Sequence, residues 1–286
     1  MAYKSSPRPV FDGPTPIPYR NVTRHIWGDV AAGQVDDWIY VSSDKIHQLV
    51  FGLPPGDGFR HSESFRTVFA ADEVLYVLMG TMVIANPETG EVHLVKTGES
   101  VFFQKDTWHH AFAWGKEELR VLEFFAPPPS TGSSGKYAAT RPYVAEPRYE
   151  RSELIGHWPT GQAGAKAVGK LHVLREADRL WSLDRSDPRV LTGIIASTDQ
   201  LTAGSMRLNP GGRSEVQTHG GAMGLYVLSG RVNILIDDPE ASPVWFELHP
   251  QDGFYLPEGT RYRAFNMGGE PAEYLFGVAP HYQARS

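Results

Sequence analysis

Leu75-Tyr76-Val77-Leu78-Met79-Gly80 returns 150 residues later as Leu225-Tyr226-Val227-Leu228-Ser229-Gly230, and this repeat decides the fold. Two further matches run in the same order around it. Leu53-Pro54-Pro55-Gly56 corresponds to Leu208-Asn209-Pro210-Gly211, and Ala126-Pro127 to Ala279-Pro280. The first copy carries five extra residues before the hexapeptide, and the second carries three extra after it. Self-similarity of this kind marks duplication of a structural unit. Within the first copy, residues 46–51, 74–79, 81–85, 92–95, 100–103 and 119–125 are short runs rich in β-branched and aromatic side chains. Gly, Pro, Asn and Asp separate them, which predicts strands joined by turns. Asn86-Pro87-Glu88-Thr89-Gly90 predicts a hairpin connection, with Asp237-Asp238-Pro239 as its counterpart. Helical signals are confined to 146–157 and 175–183.

Composition agrees with an all-β chain. Its 29 glycines and 22 prolines in 286 residues exceed the average usage of roughly 7% and 5%. A formal charge of -6 argues against a nucleic-acid or anionic-membrane surface. The absence of cysteine excludes disulfides, thiolate metal sites and cysteine nucleophiles. No apolar run is long enough for a spanning helix, and the Pro-rich start, MAYKSSPRPVFDGPTPIPYR, lacks the apolar core of a signal peptide. The expectation is a soluble, cytoplasmic protein. The Pro-rich arm is expected to cover an exposed strand edge.

The repeats resemble the cupin superfamily, whose fold is a small double-sheet jelly roll. The family's motifs run G(X)5HXH(X)3-4E(X)6G and G(X)5PXG(X)2H(X)3N, and their three His and one Glu bind a divalent metal. The resemblance implies two tandem barrels (a bicupin). Residues 1–45 are then an arm and first strands, 46–129 an N-terminal barrel, 130–185 a linker with short helices, and 186–286 a C-terminal barrel. The Ser/Gly/Pro-rich run Pro127 to Gly135 reads as the boundary. The second copy keeps both spacings, from Gly211 to Gly230 and from Pro257 to Asn266, but Gln217, Met223 and Tyr262 occupy three ligand positions and only His219 survives. These four side chains are expected to converge without forming an ordinary divalent site, with Tyr262 hydrogen-bonded to Gln217 or His219.

In the first copy Glu73 and His109 fall on the motif spacing, while Thr67 and Phe69 stand where His-X-His is expected. His61 and Glu63 lie six residues earlier, and at i and i+2 on a strand they would share a face. A bulge before Glu73 would then gather His61, Glu63, Glu73 and His109, with the two glutamates competing for the carboxylate role. His110 should face away from the interior. Arg60, Arg66, Trp108 and Phe124 are candidate pocket residues.

Such a ligand set implies one divalent ion, iron(II) favoured, with manganese, zinc or nickel as alternatives. The leading expectation is a non-haem iron(II) dioxygenase acting on a small aromatic or enolisable substrate. A manganese or zinc isomerase, lyase or hydrolase and a non-catalytic small-molecule-binding cupin are the alternatives. The expected partners are a small molecule and, in a homodimer or higher homo-oligomer, other copies of the chain.

Overall fold

The computed structural model describes residues 6–128, 135–237 and 244–283. Most of the expected boundary run, and the Asp238-Pro239 turn, lie outside the described residues. Two β-sandwich barrels are built entirely from antiparallel pairs. In the first, a seven-stranded sheet runs in the order His172–Leu174, Ser100–Phe103, Asp72–Met79, Leu119–Ala126, His47–Leu53, Gly33–Ser42 and Thr23–Asp29. It closes over a four-stranded sheet of Gly58–Phe59, His110–Ala113, Thr81–Asn86 and Glu91–Lys96. The second barrel repeats the plan, with seven strands against Val244–Leu248, Val232–Ile236 and Tyr262–Phe265.

Alternation along each strand sorts side chains between two destinations. In Leu119–Ala126, Leu119, Val121 and Phe125 point into the first barrel, while Leu122, Phe124 and Ala126 point outward. The outward set is buried as well, because the outer faces of the two large sheets pack on each other. Val50, Val74, Tyr76, Leu122 and Phe124 meet Ala203, Ala222, Tyr226, Tyr255 and Leu275 in one core. The unbroken apolar runs of the sequence are therefore strands covered on both sides. Glycines on the second sheet admit side chains of the first: a Cβ on Gly224 would lie 2.2 Å from Gln48 Oε1, one on Gly253 2.5 Å from the Tyr40 ring, and one on Gly277 2.6 Å from the Phe124 ring. The glycine that ends each repeated hexapeptide has a different role. Gly80 and Gly230 adopt φ of +80° and +68°, where a side chain would strike Glu118 O or Pro271 O.

Each large sheet also takes a strand from outside its own repeat. The arm strand Thr15–Ile17 pairs with Gly253–Leu256 of the second barrel, and His172–Leu174 from the connector pairs with Ser100–Phe103 of the first. The expected edge-covering arm is thus present, and it crosses to the opposite barrel. The 86–90 turn closes as expected, with Asn86 Oδ1 accepting from the Glu88 and Thr89 amides at 3.0 and 3.2 Å. The two helical expectations need correction. Residues 146–157 hold only a 3-10 turn at Ser152–Leu154. In 175–183 a 3-10 turn at Glu176–Asp178 leads into the strand Leu180–Leu183, because pairing with Val190–Ser197 outweighs local preference. The helices of the connector are Gly135–Ala139 and Gln162–Val168. No helix among the described residues is long and apolar enough to cross a membrane.

Gly277→Ala should destabilise the protein by about 1–3 kcal/mol, since its Cβ cannot be placed without displacing Phe124. Equilibrium denaturation checks this, and an unchanged midpoint would mean the two sheets can slide apart at no cost.

Candidate functional site

The inward parity of the first barrel's large sheet carries four titratable side chains among its apolar residues, and His109 adds a fifth from the small-sheet side. Glu73 follows Asp72 at the start of its strand, two positions before inward-facing Leu75. Glu123 sits between inward-facing Val121 and Phe125, His47 precedes Leu49, and Asp37 lies between Val35 and Ile39. His109 enters from the small-sheet side, just before Ala111. All five are buried. One atom from each of Glu73, His109 and Glu123 can be chosen so that all lie within 4.8 Å of one another, with His109 Nε2 3.9 Å from Glu73 Oε2. A cavity of about 60 Å³ lies beside them, lined by His109, Glu123, Asp37, His47 and Thr67 among aromatic and aliphatic walls.

Burial sets the protonation of these groups. It holds His109 down at about 4, against a smaller opposing effect of the Thr107 carbonyl. That carbonyl lies 3.3 Å from Nδ1. A carbonyl can only accept, so Nδ1 carries the hydrogen and the lone pair of Nε2 faces the glutamates. Glu73 is pushed well above the usual carboxylate range, first by burial and then by the Glu123 charge. Glu123 is pushed up to about 7 by burial. The two carboxyls therefore behave as a pair that shares a proton near neutrality. Glu73 Oε2 is buried with no hydrogen-bond partner.

Of the four expected ligands, the fold brings Glu73 and His109 together and leaves His61 and Glu63 apart. His61 continues from the strand Gly58–Phe59 onto the outer side of the small sheet. There its Nδ1 lies 2.7 Å from His110 Nε2 and its Nε2 lies 2.8 Å from Val144 O. His110 faces outward, as expected, with Nδ1 2.9 Å from the Tyr149 hydroxyl. Because the Val144 carbonyl takes the His61 hydrogen, each nitrogen in this chain has its role fixed and none is left to ligate. Glu63 is exposed on a turn held by Ser62, whose Oγ donates to Asp29 at 2.8 Å. No bulge folds it back.

The four pocket candidates also lie off the cavity lining. Phe124 points into the core between the barrels. Trp108 packs with Val68 and Ala138 of the connector helix. Arg60 lies over the Phe112 ring, and Arg66 donates to the carbonyls of Ala138 and Arg141. What the sequence reading missed is Glu123, Asp37 and His47. Each stands at an inward position of an apolar strand, and that parity was the available signal.

In the second barrel Gln217, His219, Met223 and Tyr262 do converge. The Tyr262 hydroxyl lies 2.7 Å from Gln217 Oε1, 3.0 Å from His219 Nε2 and 3.3 Å from Met223 Sδ. Tyr262 is 1% exposed, so a phenol fills the space between the positions that a metal's ligands would take.

The cupin domain profile matches residues 49–125 and 204–278, together more than half of the chain. The protein belongs to the cupin family and is a two-barrel member of it. Among solved structures it is similar to the glyoxylate-induced protein of Pseudomonas aeruginosa, at 16% identity and a TM-score of 0.66, covering 100% of this chain and 96% of that one. It is also similar to oxalate decarboxylase of Bacillus subtilis, at 13% identity and 0.62, covering 96% and 79%. Oxalate decarboxylase of Lactobacillus farciminis gives 14% and 0.63, covering 96% and 88%. At these identities the likeness is one of fold. Comparison with curated sequences finds no match.

The raised Glu123 carboxyl has a consequence for stability. A group whose folded-state value exceeds its unfolded one favours folding when protonated, so the Glu123 carboxyl's own contribution to the stability of the metal-free protein falls as pH rises from about 5 to 7, while the lowered imidazoles of His47 and His109 act in the opposite sense. Glu123→Gln should remove most of that loss, worth about 1–3 kcal/mol at pH 7.5. Thermal melts at three pH values read it, and parallel profiles for the two proteins would contradict the assignment. Tyr262→Phe should cost about 1–3 kcal/mol by stranding Gln217 and His219. Metal content should stay unchanged, so a change in it would place ligation in the second barrel.

Proposed function

We propose that the first barrel is a divalent-metal centre held by Glu73, His109 and Glu123, and that the protein is a metal-dependent enzyme acting on a small oxygenated molecule by non-oxidative chemistry. The observation that carries this reading is the convergence of these three buried side chains, two of which, His109 and Glu123, line the cavity. The residues fit an ion. Glu73 Oε2 has no partner, His109 is neutral, and its hydrogen is taken up by the Thr107 carbonyl, the arrangement that orients a ligating imidazole. Two carboxylates and one imidazole form a hard, oxygen-rich set that suits manganese, magnesium or iron(II) more than zinc. Structures of the similar B. subtilis oxalate decarboxylase are described with Mn(II) centres, which supports manganese as the first choice here.

A bound divalent ion would supply Lewis-acid polarisation of a carboxylate or carbonyl oxygen. The chain's own residues do the rest. Glu73 and Glu123 must release their shared proton to solvent before both can ligate. Phe51, Phe59, Phe69 and Phe125 exclude water from it. The expected dioxygenase reading loses ground because the site offers one histidine where the facial set for oxygen activation uses two. Lyase, isomerase or hydrolase chemistry takes its place.

Mn(II) should bind one per chain, with affinity falling about tenfold for each pH unit below 7, because at least one proton is displaced from the carboxyl pair. His109→Ala and Glu123→Gln should each weaken binding at least about 100-fold. Titration calorimetry at several pH values measures all of this. Oxygen uptake coupled to substrate loss in iron-loaded protein would restore the dioxygenase.

A further inference from the structure

Residues 67–69 run between the cavity and the connector, and their side chains alternate between the two. Val68 packs with Trp108 and Ala138 of the connector helix, while Thr67 and Phe69 line the cavity. Two backbone hydrogen bonds hold this segment against the turn that carries His109. The His109 amide donates to Thr67 O at 3.2 Å, and the Asp106 amide donates to Phe69 O at 2.9 Å. Thr67 therefore stands beside His109, whose Nε2 is 3.9 Å from Glu73 Oε2. Thr67 is 2% exposed, and its Oγ1 is buried with no hydrogen-bond partner among the described residues.

Buried hydroxyls are nearly always hydrogen-bonded, so an orphan beside a candidate metal centre points to a ligand. The other orphan oxygen of this neighbourhood, Glu73 Oε2, is accounted for by the ion that it would hold. The Thr67 hydroxyl carries one hydrogen to donate, and its acceptor is an oxygen of whatever the cavity holds. The size of the space limits that molecule. A cavity of about 150 Å³ takes a six-carbon ring, so the roughly 60 Å³ here takes about two or three heavy atoms without movement of its walls. A single carboxylate group is of that size.

We propose that Thr67 is a further substrate-binding residue of the metal centre, whose hydroxyl donates a hydrogen bond to an oxygen of a carboxylate bound there and fixes the orientation of that group. The part of a substrate that enters the closed cavity is accordingly one carboxylate, and the rest of a larger molecule enters only if the walls move. This deepens the metal-centre reading above and rests on it.

Calorimetric titration of the Mn(II)-loaded full chain with formate, a bare carboxylate, tests it. Thr67→Val keeps the shape of the side chain and removes the donor. It should weaken formate about tenfold, the loss expected for one hydrogen bond to a charged group, and bind one Mn(II) per chain as tightly as the wild type. Thr67→Ser returns the hydroxyl and should restore most of the formate affinity. In the metal-free chain Thr67→Val should melt no lower than the wild type, because the hydroxyl has no protein partner to lose. Five results would overturn the proposal and leave the metal centre standing: equal formate affinity in wild type and Thr67→Val, no recovery in Thr67→Ser, a Mn(II)-loaded wild type that binds no formate, weakened Mn(II) binding by Thr67→Val, or a lower melting temperature for that variant without metal. A wild-type chain that takes up no Mn(II) refutes the metal centre itself, and the donor role falls with it.

Discussion

The apolar outer face of each seven-stranded sheet is the constraint from which the rest of the structure follows. A jelly roll needs one buried face per sheet, and here each large sheet has two. The second face is covered by the other barrel, through the core that includes Tyr40, Phe124, Tyr226 and Leu275. Tyr40 and Tyr226 meet edge to face at 5.6 Å, and the Tyr40 hydroxyl donates to Gln251 O at 2.7 Å. Close approach depends on Gly224, Gly253 and Gly277, which leave room for side chains of the first sheet. The exchanged strands Thr15–Ile17 and His172–Leu174 then cover edges that the sheets would otherwise expose. Neither barrel is complete without residues that the chain supplies from outside its repeat.

That rigid double layer allows the first barrel to hold buried polar groups at a cost. Desolvation raises the carboxyls of Asp37, Glu73 and Glu123 and lowers the imidazoles of His47 and His109. Strands covered on both faces cannot turn these side chains out to water without breaking the packing on the opposite side. The polar groups stay in the apolar interior. Raised carboxyls and lowered imidazoles gathered around one cavity are the usual mark of a functional site.

The second barrel shows what happens when the same geometry is closed by packing. Gln217, His219 and Met223 still point at a common centre, and the hydroxyl of Tyr262 occupies it. The Tyr262 side chain fills that centre, and the outer face of this barrel's large sheet packs on that of the first.

The duplication, the all-β class and the convergence of Gln217, His219, Met223 and Tyr262 were legible in the sequence because they rest on local rules. Strand periodicity, turn residues and motif spacing are properties of short segments. Glu73 and His109 were legible for the same reason. His61 and Glu63 were not, because two residues sharing a face locally does not settle which sheet that face joins. The outer histidine His110 and the connector carbonyl of Val144 captured His61. Glu123, Asp37 and His47 come from three different strands, and only sheet order and register bring their inward faces to one cavity. The sequence by itself determined which segments are strands and which residues could carry charge inward. The tertiary structure alone decided which of those charges meet, because antiparallel pairing joins residues tens of positions apart and burial of both sheet faces leaves them no other place to go.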